Sequence, residues 1–135
     1  MKITELNKKD EVYSDFQSSF VMHPMKKNLA TDINEDAVKS SLINIIKTNH
    51  YERKFRPLFG ANLARYLFEP LTSITLDVVR QDVINAITEF EPRAEIIEVI
   101  ASGGQDENTL NITIIFSILN RLEPLTVNVA LSRVR

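Results

Sequence analysis

Residues 90–102 read Phe-Glu-Pro-Arg-Ala-Glu-Ile-Ile-Glu-Val-Ile-Ala-Ser, and the change from a helical to a sheet pattern falls within them. Pro92 lacks an N–H group and biases Glu91 away from the α conformation, so the preceding helix must end there. This stop holds two opposite charges, Glu91 and Arg93, on a stiff corner. The proline alone is enough to form a turn, so the two flanking charges are not needed for it. They therefore suggest that this corner docks on another molecule.

Upstream of this corner, apolar residues recur at helical spacing. The spacing predicts three helices, over residues 34–48, 62–68 and 74–90. Asn34 is a suitable N-cap for the first helix, and Thr72 or Ser73 for the last. The expected buried stripes are Val38, Leu42, Ile45 and Ile46 in the first helix, and Leu76, Val79, Val83, Ile87 and Phe90 in the last.

Downstream of the corner, apolar and polar residues alternate as in half-buried strands. The alternation predicts three strands, over residues 95–102, 109–119 and 125–131. Helices followed by a three-strand antiparallel meander predict an α+β fold, with the helices packed on one face of a small sheet. We expect residues 1–33 to form an N-terminal arm with a short strand near residues 28–31, and residues 34–135 to form a single domain.

The composition excludes several classes of function. The 135 residues suffice for one buried core, and a formal net charge of −2 is poor for wrapping a nucleic-acid backbone. The absence of cysteine excludes disulfides and thiolate zinc sites. No apolar run is long enough to span a bilayer, and residues 1–5 lack the apolar core of a signal peptide. We therefore expect synthesis in the cytoplasm and no nucleic-acid, membrane, metal or cofactor partner.

Catalysis by paired carboxylates is the main alternative to a structural role. Hydrolysis of a glycosidic bond would need two placed acids, for which Glu69, Glu89 and Glu91 are the candidates. The chain has no tryptophan to stack on a sugar ring, and His23 and His50 stand alone. A small regulatory domain that binds a metabolite is a third alternative, but the sequence shows no polar pocket signature for it.

Two surfaces are candidates for contact with other proteins. The last strand should lie at a sheet edge, where unpaired N–H and C=O groups can template the addition of another strand. Its candidate residues are Leu125, Val127, Asn128, Val129 and Leu131. Residues 47–65 carry five basic residues against Glu52, which indicates a solvated face or a charged protein interface. The candidates for this secondary interface are Arg53, Lys54, Arg56 and Phe59.

Short motifs along most of the chain share one resemblance. They are Tyr13-Ser14-Asp15-Phe16, Asn34-Glu35-Asp36-Ala37-Val38-Lys39 with Ser41-Leu42, Phe55-Arg56-Pro57-Leu58-Phe59-Gly60, Leu67-Phe68-Glu69 with Thr72 and Asp77, and Glu91-Pro92-Arg93. Together they resemble the baseplate wedge proteins of contractile phage tails that start sheath assembly, a family related to a subunit of the type VI secretion baseplate.

The resemblance implies a structural protein of the virion, without an enzymatic role, although the family has also carried a lysozyme label. Glu91, Pro92 and Arg93 would dock on the helical core of the wedge. The strand over residues 125–131, with part of the arm, would face the sheath. Implied partners are other wedge proteins, the sheath protein and the tail tube, with six copies around the tail axis. We expect Arg93→Ala to keep the fold but prevent wedge incorporation, and deletion of residues 125–135 to give baseplates without sheath.

Overall fold

The computed structural model describes residues 14–16, 31–104, 108–119, 121 and 123–133. The chain forms two compact units, residues 1–40 and 41–135. The boundary between the two units lies after residue 40, within the first α-helix. The sequence predicted an earlier boundary, after residue 33.

The first unit contains two short antiparallel strands, β1 (Ser14–Phe16) and β2 (Thr31–Ile33). The sequence does not predict β1, because three residues are too few for an alternation to be visible. Of the short strand predicted near residues 28–31, only Thr31 lies within the described residues, where it begins β2.

Helix α1 (Glu35–Lys47) follows Asn34, whose backbone is left-handed with φ 54°. Asn34 precedes the helix as predicted, but its backbone is left-handed rather than extended as at most N-caps, and asparagine tolerates this conformation better than most residues. The Asn34 carbonyl still opens the helical ladder by accepting the Val38 N–H at 3.2 Å. Glu35 and Asp36 then lie in the first turn, where negative charge complements the helix dipole.

The two later helices lie close to the predicted ranges. Residues Leu63–Phe68 form a 3₁₀ helix rather than an α-helix, and α2 spans Ser73–Phe90. Thr72 caps α2, since its side chain accepts the Thr75 N–H at 3.3 Å. At the other end the helix stops before Pro92, as predicted.

Three strands, β3 (Ala94–Gly103), β4 (Thr109–Ile118) and β5 (Leu125–Ser132), form an antiparallel sheet in the order β3-β4-β5. Their bounds lie within one residue of the prediction. Helix α2 packs on β3, and the sheet face on that side is buried. The fully buried residues of β4 on this face are Leu110, Ile112, Ile114 and Phe116, and burying each such side chain is worth about 2 kcal/mol. This arrangement confirms the α+β fold.

Within the described ranges, no helix has the length and apolar character that crossing a membrane requires.

Candidate functional site

The corner between α2 and β3 consists of Glu91, Pro92 and Arg93. Glu91 is 2% exposed, and both of its carboxylate oxygens accept hydrogen bonds from Arg93. Arg93 Nε donates to Oε1 at 2.5 Å and Nη2 donates to Oε2 at 2.7 Å. A bidentate pair of this kind is strong and geometrically specific. The corner is therefore closed by a fork between two residues of its own.

The environment of Glu91 keeps its carboxylate ionised. Burial raises the pKa of Glu91, but hydrogen bonds from the Arg93 and Ser41 side chains and the Arg93 charge outweigh burial and leave the pKa below its usual value. Ser41, on α1, is a partner that sequence reasoning missed, because it lies fifty positions from Glu91 and no local pattern joins them. A carboxylate with a lowered pKa is a poor general acid near neutral pH.

This geometry changes what each corner residue can offer a partner. The sequence suggested that Glu91 and Arg93 both contact a partner, but Glu91 is buried and bonded to Arg93. Pro92 is exposed, and the Arg93 side chain is 27% exposed. Because truncating Arg93 would leave a buried carboxylate without its main partner, the expectation that Arg93→Ala keeps the fold no longer holds.

The other two candidate acids lie on different grooves. Glu69 follows the 3₁₀ helix and lines a groove of about 520 Å³ with Phe68 and Arg133. Glu89, in the last turn of α2, lines a groove of about 260 Å³ that also contains His50. Among the residues that the structure describes, no group of histidine and acidic side chains is placed to hold a metal ion.

Strand β5 lies at one edge of the sheet, as predicted. The Arg133 N–H donates to the Asn108 carbonyl, and the register pairs Thr113 with Asn128. Because hydrogen-bonded and non-hydrogen-bonded pairs alternate in an antiparallel ladder, the backbone groups of alternate β5 residues point away from β4. These residues are Thr126, Asn128, Ala130 and Ser132, and no described backbone group bonds to their outer side.

The side chains of β5 divide between two faces. Val127 and Val129 are buried, while Leu125 and Leu131 are half-buried. The predicted surface residues, Asn128 apart, therefore belong to the sheet's inner face and support its core. The exposed side chains are Thr126, Asn128, Ala130 and Ser132, which are small and uncharged. From Leu125 to Ser132 the strand contains no charge, proline or bulge.

Strand β3 forms the opposite edge of the same sheet and differs from β5 in two ways. Its register shifts at a β-bulge between Ile96 and Glu98. It also exposes two acidic side chains, Glu95 and Glu98. Bulges and charges are the usual means by which proteins prevent strand addition at an edge. Such protection is therefore present on β3 and missing from β5.

The predicted basic interface lies in the loop between α1 and the 3₁₀ helix. Arg53, Lys54 and Arg56 are exposed, but Phe59 is only 7% exposed, with the Arg53 guanidinium 4.0 Å from its ring centre. The prominent apolar residues that sequence reasoning did not select are Tyr51, Phe55 and Leu58.

Comparison with known proteins supports a single family. The model of the family described as baseplate wedge protein gp25 matches residues 33–130. The chain is 32% identical over 111 residues to baseplate wedge protein gp25 of Enterobacteria phage T4, a match that covers 82% of this chain and 83% of that protein.

Solved structures show the same fold. A putative tail lysozyme from Geobacter sulfurreducens is 25% identical, with a TM-score of 0.68 over 75% of this chain and 92% of that one. A chain of the six-fold symmetrised baseplate of the anti-feeding prophage is 22% identical, with a TM-score of 0.71 over 82% and 89% of the two chains. A chain of the postcontracted pyocin R2 baseplate is 20% identical, with a TM-score of 0.53 over 81% and 95%.

The T4 relative and the family model each cover most of the chain, and the fold agrees with the baseplate structures. This chain belongs to the baseplate wedge protein gp25 family.

Proposed function

We propose that this chain is a structural wedge subunit of a contractile-tail baseplate in the virion, and that it starts sheath assembly by offering the edge of β5 to a strand of the first sheath ring. The observation that carries the proposal is the outer side of β5, where backbone groups point away from β4 and the strand has no protecting charge, proline or bulge. Family membership supplies the setting.

Strand addition suits this role because main-chain hydrogen bonds supply affinity without a side-chain code. The outward groups of Thr126 to Ser132 recur at every second residue, which matches the spacing of an incoming strand. The buried Val127 and Val129 fix the orientation of β5 against the core, so that its outer side stays available.

Docking on the wedge is assigned to the corner, with a division of roles. Pro92 and the exposed part of Arg93 would contact the partner, and Glu91 would position Arg93 from inside. The partners are then the other wedge proteins, the sheath protein and the neighbouring tail tube. One related baseplate is six-fold symmetrised, which supports six copies around the tail axis.

In this role the chain performs no enzymatic step. One structural neighbour is named a putative tail lysozyme, so hydrolysis of peptidoglycan is the alternative. The lowered pKa of Glu91 and the positions of Glu69 and Glu89 on different grooves argue against a paired-acid site. A turbidity assay on cell walls distinguishes the two, since lysis abolished by a single Glu→Gln change would establish the enzyme.

Asn128→Pro tests the role of β5. The Asn128 N–H points away from β4, so proline there removes an outer donor without breaking the ladder. We expect a folded chain that enters baseplates, and tails that lack sheath by electron microscopy. Asn128→Ala, which keeps the N–H, is the control and should assemble normally.

Deleting residues 125–135 is a poorer test, because it removes buried Val127 and Val129. Sheath of normal length on Asn128→Pro tails would refute the proposal.

Replacing the corner pair by two leucines tests docking separately. Apolar replacement of a buried ion pair often leaves stability unchanged or raises it, whereas removing one partner does not. We therefore expect Glu91→Leu with Arg93→Leu to fold and to be missing from purified baseplates. Wild-type amounts of this variant in baseplates would show that the corner is structural only.

A further inference from the structure

The loop of residues 50–60, between α1 and the 3₁₀ helix, is held firmly in place. The Tyr51 N–H donates to the Pro57 carbonyl at 2.6 Å and closes the loop. Gly60 has φ 102°, and a Cβ at this position would lie 2.2 Å from the Thr48 carbonyl oxygen. Glycine is therefore required where the loop returns to the end of α1. The loop is a fixed part of the larger unit and can present side chains in a defined geometry.

This fixed loop presents large apolar side chains to solvent. Phe55 is 100% exposed, Tyr51 is 80% exposed and Leu58 is 63% exposed. Tyr51 and Phe55 both have φ 69°, a backbone conformation that bulky residues rarely adopt. Backbone strain of this kind persists where the surrounding structure enforces it, and it is common at binding sites. Each residue is the third of a tight turn, one closed by the Glu52 N–H and the Asn49 carbonyl and the other by the Arg56 N–H and the Arg53 carbonyl. Glycine is usual at this position, so the turns account for the positive φ but not for the two exposed aromatic side chains that occupy them.

Of these three side chains, Leu58 lines a shallow groove of about 260 Å³, which is also lined by Arg56, Pro57, Phe59, Glu89 and Phe90. The Phe59 and Phe90 rings pack with their centres 4.8 Å apart and form its apolar part. Phe90 is the last residue of α2, so the groove reaches the residue that precedes the Glu91 corner. We name Tyr51, Phe55, Leu58 and this groove the aromatic loop surface.

The charges around the aromatic loop surface define its partner. Arg53, Lys54 and Arg56 are exposed, while the opposing Glu52 carboxylate accepts hydrogen bonds from the backbone and side chain of Asn49. Glu89 at the groove reduces the positive charge but does not cancel it. Aromatic and arginine side chains together are typical of the energetic centres of protein interfaces. An acidic partner with an apolar side chain is complementary to both features.

We propose that the aromatic loop surface binds an acidic segment of another baseplate chain, other than the sheath protein, whose large apolar side chain enters the groove. The inference rests on the proposed function for its setting but uses a different surface from β5. Salt should weaken this contact, since exposed charge pairs are screened.

Site-specific photo-crosslinking tests the inference in assembled tails. Benzoylphenylalanine replaces Phe55, whose complete exposure makes the change neutral for folding. The matched control carries it at Ile74, an apolar residue of α2 that is 75% exposed. We expect position 55 to join a baseplate chain other than the sheath protein, within a peptide of net negative charge. We expect at least ~10-fold less product at position 74, the ratio given by a ~1.4 kcal/mol difference in contact free energy.

Several outcomes would overturn the inference. They are a product with the sheath protein, with nucleic acid or with a basic peptide, and no product at position 55 in tails that contain the chain. The same crosslinker at Asn128 separates this result from the proposed function, because a sheath product there supports β5 whatever position 55 gives. Absence of the chain from tails would refute both.

Charge reversal gives a second measurement that does not need the crosslinker. Lys54→Glu with Arg56→Glu changes two exposed side chains and should leave the fold intact. We expect ~10-fold less chain in purified tails, as the loss of ~1.4 kcal/mol of contact energy implies. Asp77→Arg with Arg80→Glu exchanges the two members of an ion pair on α2, so this double variant is the control and should be incorporated normally. Equal incorporation of the two variants would contradict an acidic partner.

Discussion

The Glu91–Arg93 corner and the β5 edge are both candidate contact regions, but they satisfy their polar groups in opposite ways. At the corner, the charged groups bond to each other, and Glu91 is 2% exposed. On β5, every second residue directs its backbone groups away from β4, where no described backbone group bonds to them. The corner therefore completes the fold by itself, whereas the edge leaves bonding capacity for another chain.

This difference predicts where each region acts when it is changed. A substitution at the corner disturbs a buried ion pair. It can affect assembly only by lowering the stability of the fold or by changing the exposed part of Arg93. A substitution on the outer side of β5 leaves the internal ladder intact and acts on assembly alone. Stability and assembly measurements on the same variants can therefore separate the two regions.

Arg93→Ala should give the largest effect. It leaves the Glu91 carboxylate buried without its fork, and removing one member of a buried pair costs roughly 3 kcal/mol. Asn128→Ala on the edge should change the free energy of unfolding by less than ~0.5 kcal/mol. Urea denaturation of both variants measures the contrast.

The control for this prediction is Glu91→Gln combined with Arg93→Ala. Removing the buried charge together with its partner should recover part of the lost stability. Equal free energies of unfolding for Arg93→Ala and Asn128→Ala would mean that the corner is no more structural than the edge.

Acid should weaken the corner and leave the edge unaffected. The pKa of Glu91 is lowered from 4.5 by hydrogen bonds from Arg93 and Ser41 and by the Arg93 charge, which together outweigh burial. Its contribution to stability is therefore complete above the unfolded pKa near 4.5 and is lost as pH falls through the lower folded value. Each unit of lowering is worth about 1.4 kcal/mol.

Glu91→Gln identifies this contribution. Thermal unfolding from pH 7 to pH 3 should show a smaller loss of stability in the variant than in the wild type. Asn128→Ala should follow the wild-type profile, because no titrating group changes. If the stability of Glu91→Gln and of the wild type fell equally between pH 7 and pH 3, the loss of stability in acid would come from other carboxylates.

Local patterns predicted most of the fold. The three strands of the sheet and α2 lie within one residue of their predicted bounds, because alternation and helical spacing report burial directly. The 3₁₀ geometry of Leu63–Phe68 and the left-handed Asn34 were not predicted, since both depend on how the chain enters and leaves neighbouring elements. Strand β1 was missed for lack of length.

The sequence predicted the places of the candidate residues in the fold better than it predicted their contacts. The sequence identified Glu91 and Arg93, but their separation of two residues does not reveal whether they face a partner or each other. The sequence identified β5 as an edge strand. It did not show which of its residues direct their backbone groups outward, because that depends on the register with β4. The exposure of Tyr51 and Phe55 could not be predicted, since aromatic residues in a loop are commonly buried anchors.

Adding a charge to the β5 edge and removing charges from the β3 edge should give the smallest effect. These changes compare the two edges most directly. Asn128→Lys places a charge on β5 and should reduce any self-association of the isolated chain, because charge opposes edge pairing. Glu95→Thr with Glu98→Thr removes the charges from β3, but the bulge between Ile96 and Glu98 remains, so self-association should rise only slightly. Sedimentation velocity at matched concentrations measures both changes. If the β3 variant associated more strongly than wild type while Asn128→Lys had no effect, β3 would be the available edge and the assignment of β5 would be wrong.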